Sequence, residues 1–402
     1  MPSLKTSISN QLLLPTDSPA LKAYNELSAI FGYGYLNPFK IIFDGSLQNK
    51  NISSVEGFNV MHNVYNELYY NTKYTSINDS YSGISTLAHK LINYDVYVQA
   101  LQCGIYCAEN EALATIAYVN SINTANQYVS YITVILDIDP YSVHGTEWLK
   151  SAREIIYNLK HNTDNELHGY DVYIQAGSSV VYDAMIYTFD SFPTMIIVTS
   201  IVVLLFMGIS FKSIVTPIRS LLSIGYTLLF SYGLFVLVYQ KGILNFLGIR
   251  SLSSFTTNND DNDNEDEDGL ISFIPPIMAF TVIVGLSLDY DVFLITRIYE
   301  YRVQEKYYHK SSILAGLQGT GRIITAAGII MFIAFGGLLA SSCLLLNQYA
   351  FLLMSSVLLD TFVIRTILVP TLLSFTGSTY SWWPNNDIPD RSEISILPSG
   401  IE

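Results

Sequence analysis

Residues 271–297 read ISFIPPIMAFTVIVGLSLDYDVFLITR. A bilayer core is about 30 Å thick and takes roughly 20 apolar residues of helix to cross. The segment Ile271–Ile295 meets that requirement, yet it holds Asp289 and Asp291. An ionisable side chain inside a span is costly and commonly faces the bundle interior. The stretch therefore reads as a membrane helix with chemistry in it. Asp289 lies eight residues before Arg297, which at 1.5 Å per residue puts it roughly 12 Å from the charged edge. Thr281, Gly285, Asp289 and Thr296 share one helical face, at i, i+4, i+8 and i+15. Small residues there allow a neighbouring helix to approach. Asp291 is two positions on, about 200° around the helix, so the two acids do not face one partner equally. A desolvated carboxylate takes up and releases protons near neutral pH. The reading makes Asp289 the proton carrier and Asp291 an accessory group nearer the cytoplasm, with Tyr290 placed to hydrogen-bond a carboxylate.

Four more segments qualify as spans: Phe192–Ile209, Leu221–Tyr239, Ile323–Leu346 and Tyr349–Phe375. Only the last is charged, with Asp360 and Arg365. Five residues apart on an α-helix, these two point about 140° away from each other and are expected not to pair simply. Thr325 and Gly328 are further small residues suited to helix packing. Across 402 residues only 13% are charged, where a soluble globular chain carries about 25%. That deficit argues against a soluble cytosolic enzyme.

Basic residues in short loops set orientation. Lys212 and Arg219 lie between the first two spans, and Arg297, Arg302, Lys306, Lys310 and Arg322 between the third and fourth. Both loops are expected in the cytoplasm. The 240–270 loop and residues 1–190 then fall outside. Half of the net charge of −14 sits in DDNDNEDED, residues 260–268, with seven acids and no base. Such a tract reads as a solvated loop, and without a basic stripe it argues against nucleic acid. The sequons Asn51-Ile-Ser53 and Asn78-Asp-Ser80 are candidate glycosylation acceptors.

Residues 20–190 alternate helix and strand signals. Pro19 to Phe31 starts a helix behind Asp17 and Ser18; Phe39–Phe43 reads as a strand, Val55–Tyr70 as a helix, and Tyr131–Leu136 as a buried strand. Gly145–Leu159 is helical, Asp171–Gln175 a strand, and Gly177 opens the helix that enters the first span. These lengths suit a split βαβ, ferredoxin-like unit. The expected organisation is a linker (1–19), an extracytoplasmic α+β domain (20–190), a transmembrane domain (191–375) with an acidic loop (256–269), and a cytoplasmic tail (376–402). The N-terminal run MPSLKTSISNQLLLPTDSP has one lysine and three consecutive leucines, short for a signal peptide. A span ahead of the α+β domain is therefore expected beyond this chain.

No G-x-x-x-x-G-K-[ST], H-E-x-x-H or G-x-S-x-G run is present. His62, His89, His144, His161, His168 and His309 have no metal-ligand spacing, and Cys103, Cys107 and Cys343 make neither a disulfide framework nor a zinc pattern. No enzyme active site, nucleotide, metal or cofactor is expected.

The run Gly285 to Arg297, with Pro275-Pro276 before it, closely resembles the MMPL family of RND-superfamily transporters. So do Thr320-Gly321-Arg322 with Ile323 to Gly328, Leu358-Leu359-Asp360-Thr361 with Val363-Ile364-Arg365, and Val369-Pro370. Trp382-Trp383-Pro384 closes the match, while Leu14 to Pro19 and Leu136 to Pro140 extend it into the α+β region. The resemblance covers residues 14–384. It implies a proton-driven exporter of lipids or other hydrophobic molecules in a membrane, expected to be the plasma membrane. It makes Asp289 and Tyr290 a relay pair that works with an equivalent pair in another half, and the α+β domain a porter domain. Only a C-terminal half is matched, so the expected partners are a missing N-terminal half or a second copy, with membrane lipids as substrate. A lipid or sterol sensor without active transport, or an inactive half, is the competing reading.

Overall fold

The computed structural model describes residues 6–8, 14–72, 77–81, 98, 128–161, 167–253 and 271–380. Cys103, Cys107, the acidic tract and Trp382-Trp383-Pro384 lie outside the described residues. The chain divides into two units. One holds Asp17–Tyr187 with Ile8–Asn10; the other holds Thr188–Glu402 with Met1–Ser7 and Gln11–Thr16.

In the first unit, Ser18 accepts the Leu21 N–H on its hydroxyl (3.1 Å) with Pro19 at the first helical position. This pairing of cap and proline starts α1 (Pro19–Phe31). Then come β2 (Phe39–Asp44), α2 (Val55–Asn71), β3 (Ile77–Tyr81), β4 (Val129–Leu136), α3 (Val143–His161) and β5 (Asp171–Gln175). The order of these six is β-α-β-β-α-β. All sheet pairings are antiparallel, in the spatial order β3-β4-β2-β5. Phe39, Ile41 and Phe43 alternate inward from β2 and are fully buried, as the period of 2 requires. Trp148 of α3 sits on Phe39 with ring centroids 4.8 Å apart. Gly34 is forced by close approach, since a Cβ there would meet the Leu136 carbonyl oxygen at 2.0 Å.

The second unit is nearly all helix: α4 (Gly177–Phe211, counted here from Thr188), α5 (Val215–Tyr239), α6 (Ile274–Val303), α7 (His309–Gly336), α8 (Leu344–Leu358), a π-helical segment (Leu359–Leu368) and α9 (Val369–Tyr380). Among the described residues, five helical stretches are long and apolar enough to cross a membrane: Gly177–Phe211, Val215–Tyr239, Ile274–Val303, His309–Ala340 and Leu344–Gly377. A parallel two-residue pairing joins β1 (Thr6–Ser7) to β6 (Ile271–Ser272) just ahead of α6.

Several boundaries differ from the sequence reading: α6 runs on to Val303 and α7 already begins at His309, so Arg297, Arg302, Lys310 and Arg322, expected in a loop, lie in helix. The fourth span does not run to Leu346; it ends in a 3-10 turn, Gly337–Ala340, and the chain reverses through Ser341 to Cys343 before α8. Hydropathy does not register this break, because Leu338, Leu339 and Leu344 to Leu346 are as apolar as the helices they join. The second span begins at Val215, which draws Arg219 into helix. Arg219 and Arg302 are 4% and 1% exposed, so neither is a free loop cation. Lys212, Arg297, Lys306, Lys310 and Arg322 remain as the basic residues of those regions.

Candidate functional site

The site grows from α6. Its Asp291 is 1% exposed and receives three donors. Arg365 Nη1 donates to Oδ1, Ser220 Oγ donates to Oδ2, and Arg219 Nη2 donates to Oδ2 at 3.2 Å. Arg365 continues through Nη2 to the Ser287 carbonyl and to Asp360 Oδ2 at 3.2 Å. Arg219, Asp360 and Arg365 are all at most 4% exposed. Two arginines thus face two carboxylates inside the helical unit. The desolvation cost of buried ions is several kcal/mol each, and it is offset only when charges are paired and hydrogen-bonded. This quartet is balanced when all four are ionised.

Three helical stretches supply it. Ser287 and Asp291 are four apart, so α-geometry stacks the Ser287 carbonyl beneath the carboxylate. Arg219 and Ser220 come from the second turn of α5. Asp360 and Arg365 come from the π segment, and here the expectation that they do not pair is corrected. A π-helix closes i→i+5 bonds, so residues five apart are neighbours along it and Arg365 folds back on Asp360. The 140° separation holds only for α-geometry. Thr361, on the same segment, packs against Gly328 of α7, where an added Cβ would meet Thr361 Oγ1 at 2.4 Å. Thr325 is half-buried one turn earlier on α7.

Asp289 is placed differently. It is exposed on α6 and makes no ion pair or side-chain hydrogen bond among the described residues. It lines an open recess of about 470 Å³ with Phe206, Val292, Phe293, Arg297 and Glu300. Thr281, Gly285 and Thr296 are exposed as well, and a Cβ on Gly285 would meet nothing within 4 Å. The face picked out in the sequence is thus real as a face, but no helix of the described residues packs on it. Tyr290 stands between the two acids, and the Arg365 guanidinium lies 5.9 Å from its ring centroid. Such an approach is a cation–π contact, which ties the residue next to Asp289 to the buried quartet. Sequence reasoning missed Arg219 and Ser220. Their signal was available: Thr216, Ser220, Ser223, Thr227 and Ser231 recur at helical spacing.

Elsewhere, Asn51 is exposed and its Oδ1 accepts the Ser53 N–H at 2.8 Å; Asn78 lies in β3. In the α+β unit, burial pushes the Asp139 carboxyl above the ordinary carboxylate range, against a Tyr141 N–H that donates to it at 2.9 Å.

Five helices among the described residues are long and apolar enough to cross a membrane, and three helical stretches of them supply the buried, charge-balanced quartet; this is a polytopic membrane protein. The family model described as "MMPL family" matches residues 13–254 and 267–392. The chain belongs to the MMPL family, within the RND superfamily. Among curated relatives, it is 29% identical over 248 residues to the probable transport protein MmpL10 of Mycobacterium leprae, covering 62% of this chain and 22% of that protein. It is 29% identical over 224 residues to the trehalose monomycolate exporter MmpL3 of Mycolicibacterium smegmatis, covering 54% and 20%. Against the membrane protein YdfJ of Bacillus subtilis it is 25% identical over 264 residues, covering 64% and 33%. The chain thus spans between about a fifth and a third of the length of these relatives.

Proposed function

We propose that this chain works as one half of a proton-driven exporter of lipids or other hydrophobic molecules. The observation that carries the reading is the two-sided charge arrangement on α6. Asp291 is locked between two arginines within the chain, whereas Asp289, two residues away, stands unpaired on a face of small residues. A fixed counter-ion suits structure; an unpaired intramembrane carboxylate suits proton uptake and release. Tyr290, resting on Arg365, would pass a change at Asp289 to the quartet. Asp289 and Tyr290 are the relay pair in this reading, with Asp291, Asp360 and Arg365 as accessory charges.

The open face of Thr281, Gly285 and Asp289 would receive an equivalent set of helices, from another part of a longer protein or from a second copy. The β-α-β-β-α-β order and antiparallel sheet of the first unit support a ferredoxin-like porter domain. The positions of Lys212, Lys306 and Lys310 support its lying on the extracytoplasmic side, and the plasma membrane is the membrane proposed. Names such as MmpL3 support a lipid as cargo at the level of the family only. The test is Asp289→Asn in the whole transporter in cells, read as efflux of a fluorescent acyl lipid with and without a protonophore. Loss of efflux with normal membrane insertion is expected. Protonophore-sensitive efflux at the wild-type rate would refute the relay assignment.

A further inference from the structure

One face of α5 is polar where a membrane helix is expected to be apolar. Thr216, Ser220, Ser223, Thr227 and Ser231 are each at most 2% exposed. At 100° per residue they fall within about 80° of one another, and at 1.5 Å per residue they extend over about 22 Å of the helix. The face is turned inward, because α5 packs against α6, α8 and the π segment. Beyond Ser231 it becomes apolar: Phe235 and Val238 are buried against Ile283, Leu352 and Leu353.

Hydroxyls in a membrane helix normally satisfy themselves on the carbonyl one turn back. Ser220 does so on Thr216 O and Thr227 on Ser223 O, both at 3.1 Å. Ser223 Oγ and Ser231 Oγ do not; both are buried and partnerless. Beside the face, Arg219 has its Nε and Nη1 buried without a partner, and Arg365 its Nε. These are nitrogens of the two arginines that hold Asp291. A buried polar group without a partner is costly, and buried water commonly makes about three hydrogen bonds to such groups.

We propose that this face of α5 is a water-binding site, a file of water that solvates the two arginines and runs along the hydroxyls to Ser231, sealed there by Phe235 and Val238. The file makes the ionic quartet solvated from one side, although every member is shielded from bulk solvent. The proposal rests on burial and on unpartnered atoms, and it stands whether or not the chain transports. Tight dry packing of small residues is the alternative.

The test uses water itself as probe. The full chain, with Cys103, Cys107 and Cys343 replaced by serine, is reconstituted in nanodiscs and irradiated with X-rays in ¹⁸O water. Cysteine is introduced singly by Ser223→Cys, Ser231→Cys, Leu229→Cys and Ile333→Cys. Leu229 and Ile333 are 75% and 66% exposed on apolar helix surface and report the dry background. Oxidation of the first two severalfold faster than the last two is expected. Equal rates at all four would overturn the water file. Where a cysteine variant does not insert, the unmodified chain decides the question through Phe235, itself fully buried: ¹⁸O on its ring supports the file, and an unlabelled ring overturns it.

Discussion

The same substitution made two residues apart on α6 should have very unequal effects on stability. Asp291→Asn removes the charge that receives Arg365 Nη1, Arg219 Nη2 and Ser220 Oγ at a site 1% exposed. The asparagine keeps the volume and one acceptor oxygen, so the loss is electrostatic. Arg365 retains Asp360 at 3.2 Å, but Arg219 keeps no acid in reach and becomes an uncompensated buried cation. Breaking a buried pair from one side costs about 3–5 kcal/mol. Asp289→Asn touches an exposed carboxylate without an ion pair and should stay within about 0.5 kcal/mol of wild type. The assay is reversible unfolding of the full chain in mixed detergent micelles, followed by far-UV circular dichroism. Adding Arg219→Met to Asp291→Asn should recover part of the loss, since the orphaned charge is gone. The reasoning is refuted if the two asparagine variants are equally stable, or if Arg219→Met deepens the loss.

Other consequences are as specific. Gly328→Ala drives a methyl into Thr361 Oγ1 and Cγ2, at 2.4 and 2.7 Å, and overpacking of this kind costs about 1–3 kcal/mol. Gly285→Ala meets open space and should leave unfolding unchanged while impairing export, if its face docks a partner. In the α+β unit, Trp148→Ala should cost about 3–5 kcal/mol, seen as early loss of the unit's proteolytic protection. Burial raises the Asp139 carboxyl above its unfolded value, so the folded state binds that proton more tightly. Its contribution to stability is fully present below the unfolded value and is lost as pH rises through the folded one. Denaturation of the full chain followed by Trp148 fluorescence, with Trp382 and Trp383 replaced by phenylalanine so that Trp148 is the sole tryptophan, should show this slope with Asp139 present, and Asp139→Asn should flatten it.

Much of this was legible in the sequence because the signals are local. Ser18-Pro19 starts a helix with a cap chemistry that needs no tertiary partner, and the alternation in Phe39–Phe43 fixes which face of β2 is buried. The ionic quartet was only half legible. Asp291, Asp360 and Arg365 were visible as charges in apolar runs, but their partnership depends on a π-helical register that no residue pattern announces. Arg219 is hidden because hydropathy rises only at Leu221, six residues after the helix begins. The helical face of Thr281, Gly285 and Asp289 was readable as a stripe. That no helix of the described residues covers it is a tertiary fact, outside the reach of periodicity.

The central claim is that Asp289 takes and releases the proton while Asp291 stays fixed among its arginines. Dicyclohexylcarbodiimide, which modifies protonated carboxyls in apolar surroundings, tests this directly in the full chain in lipid vesicles, with the modified residue located by peptide mass mapping. The account predicts an adduct on Asp289 that increases as pH falls, with Asp291 unmodified. Modification of Asp291 in place of Asp289, or an Asp289 that stays unreactive at every pH, would contradict it.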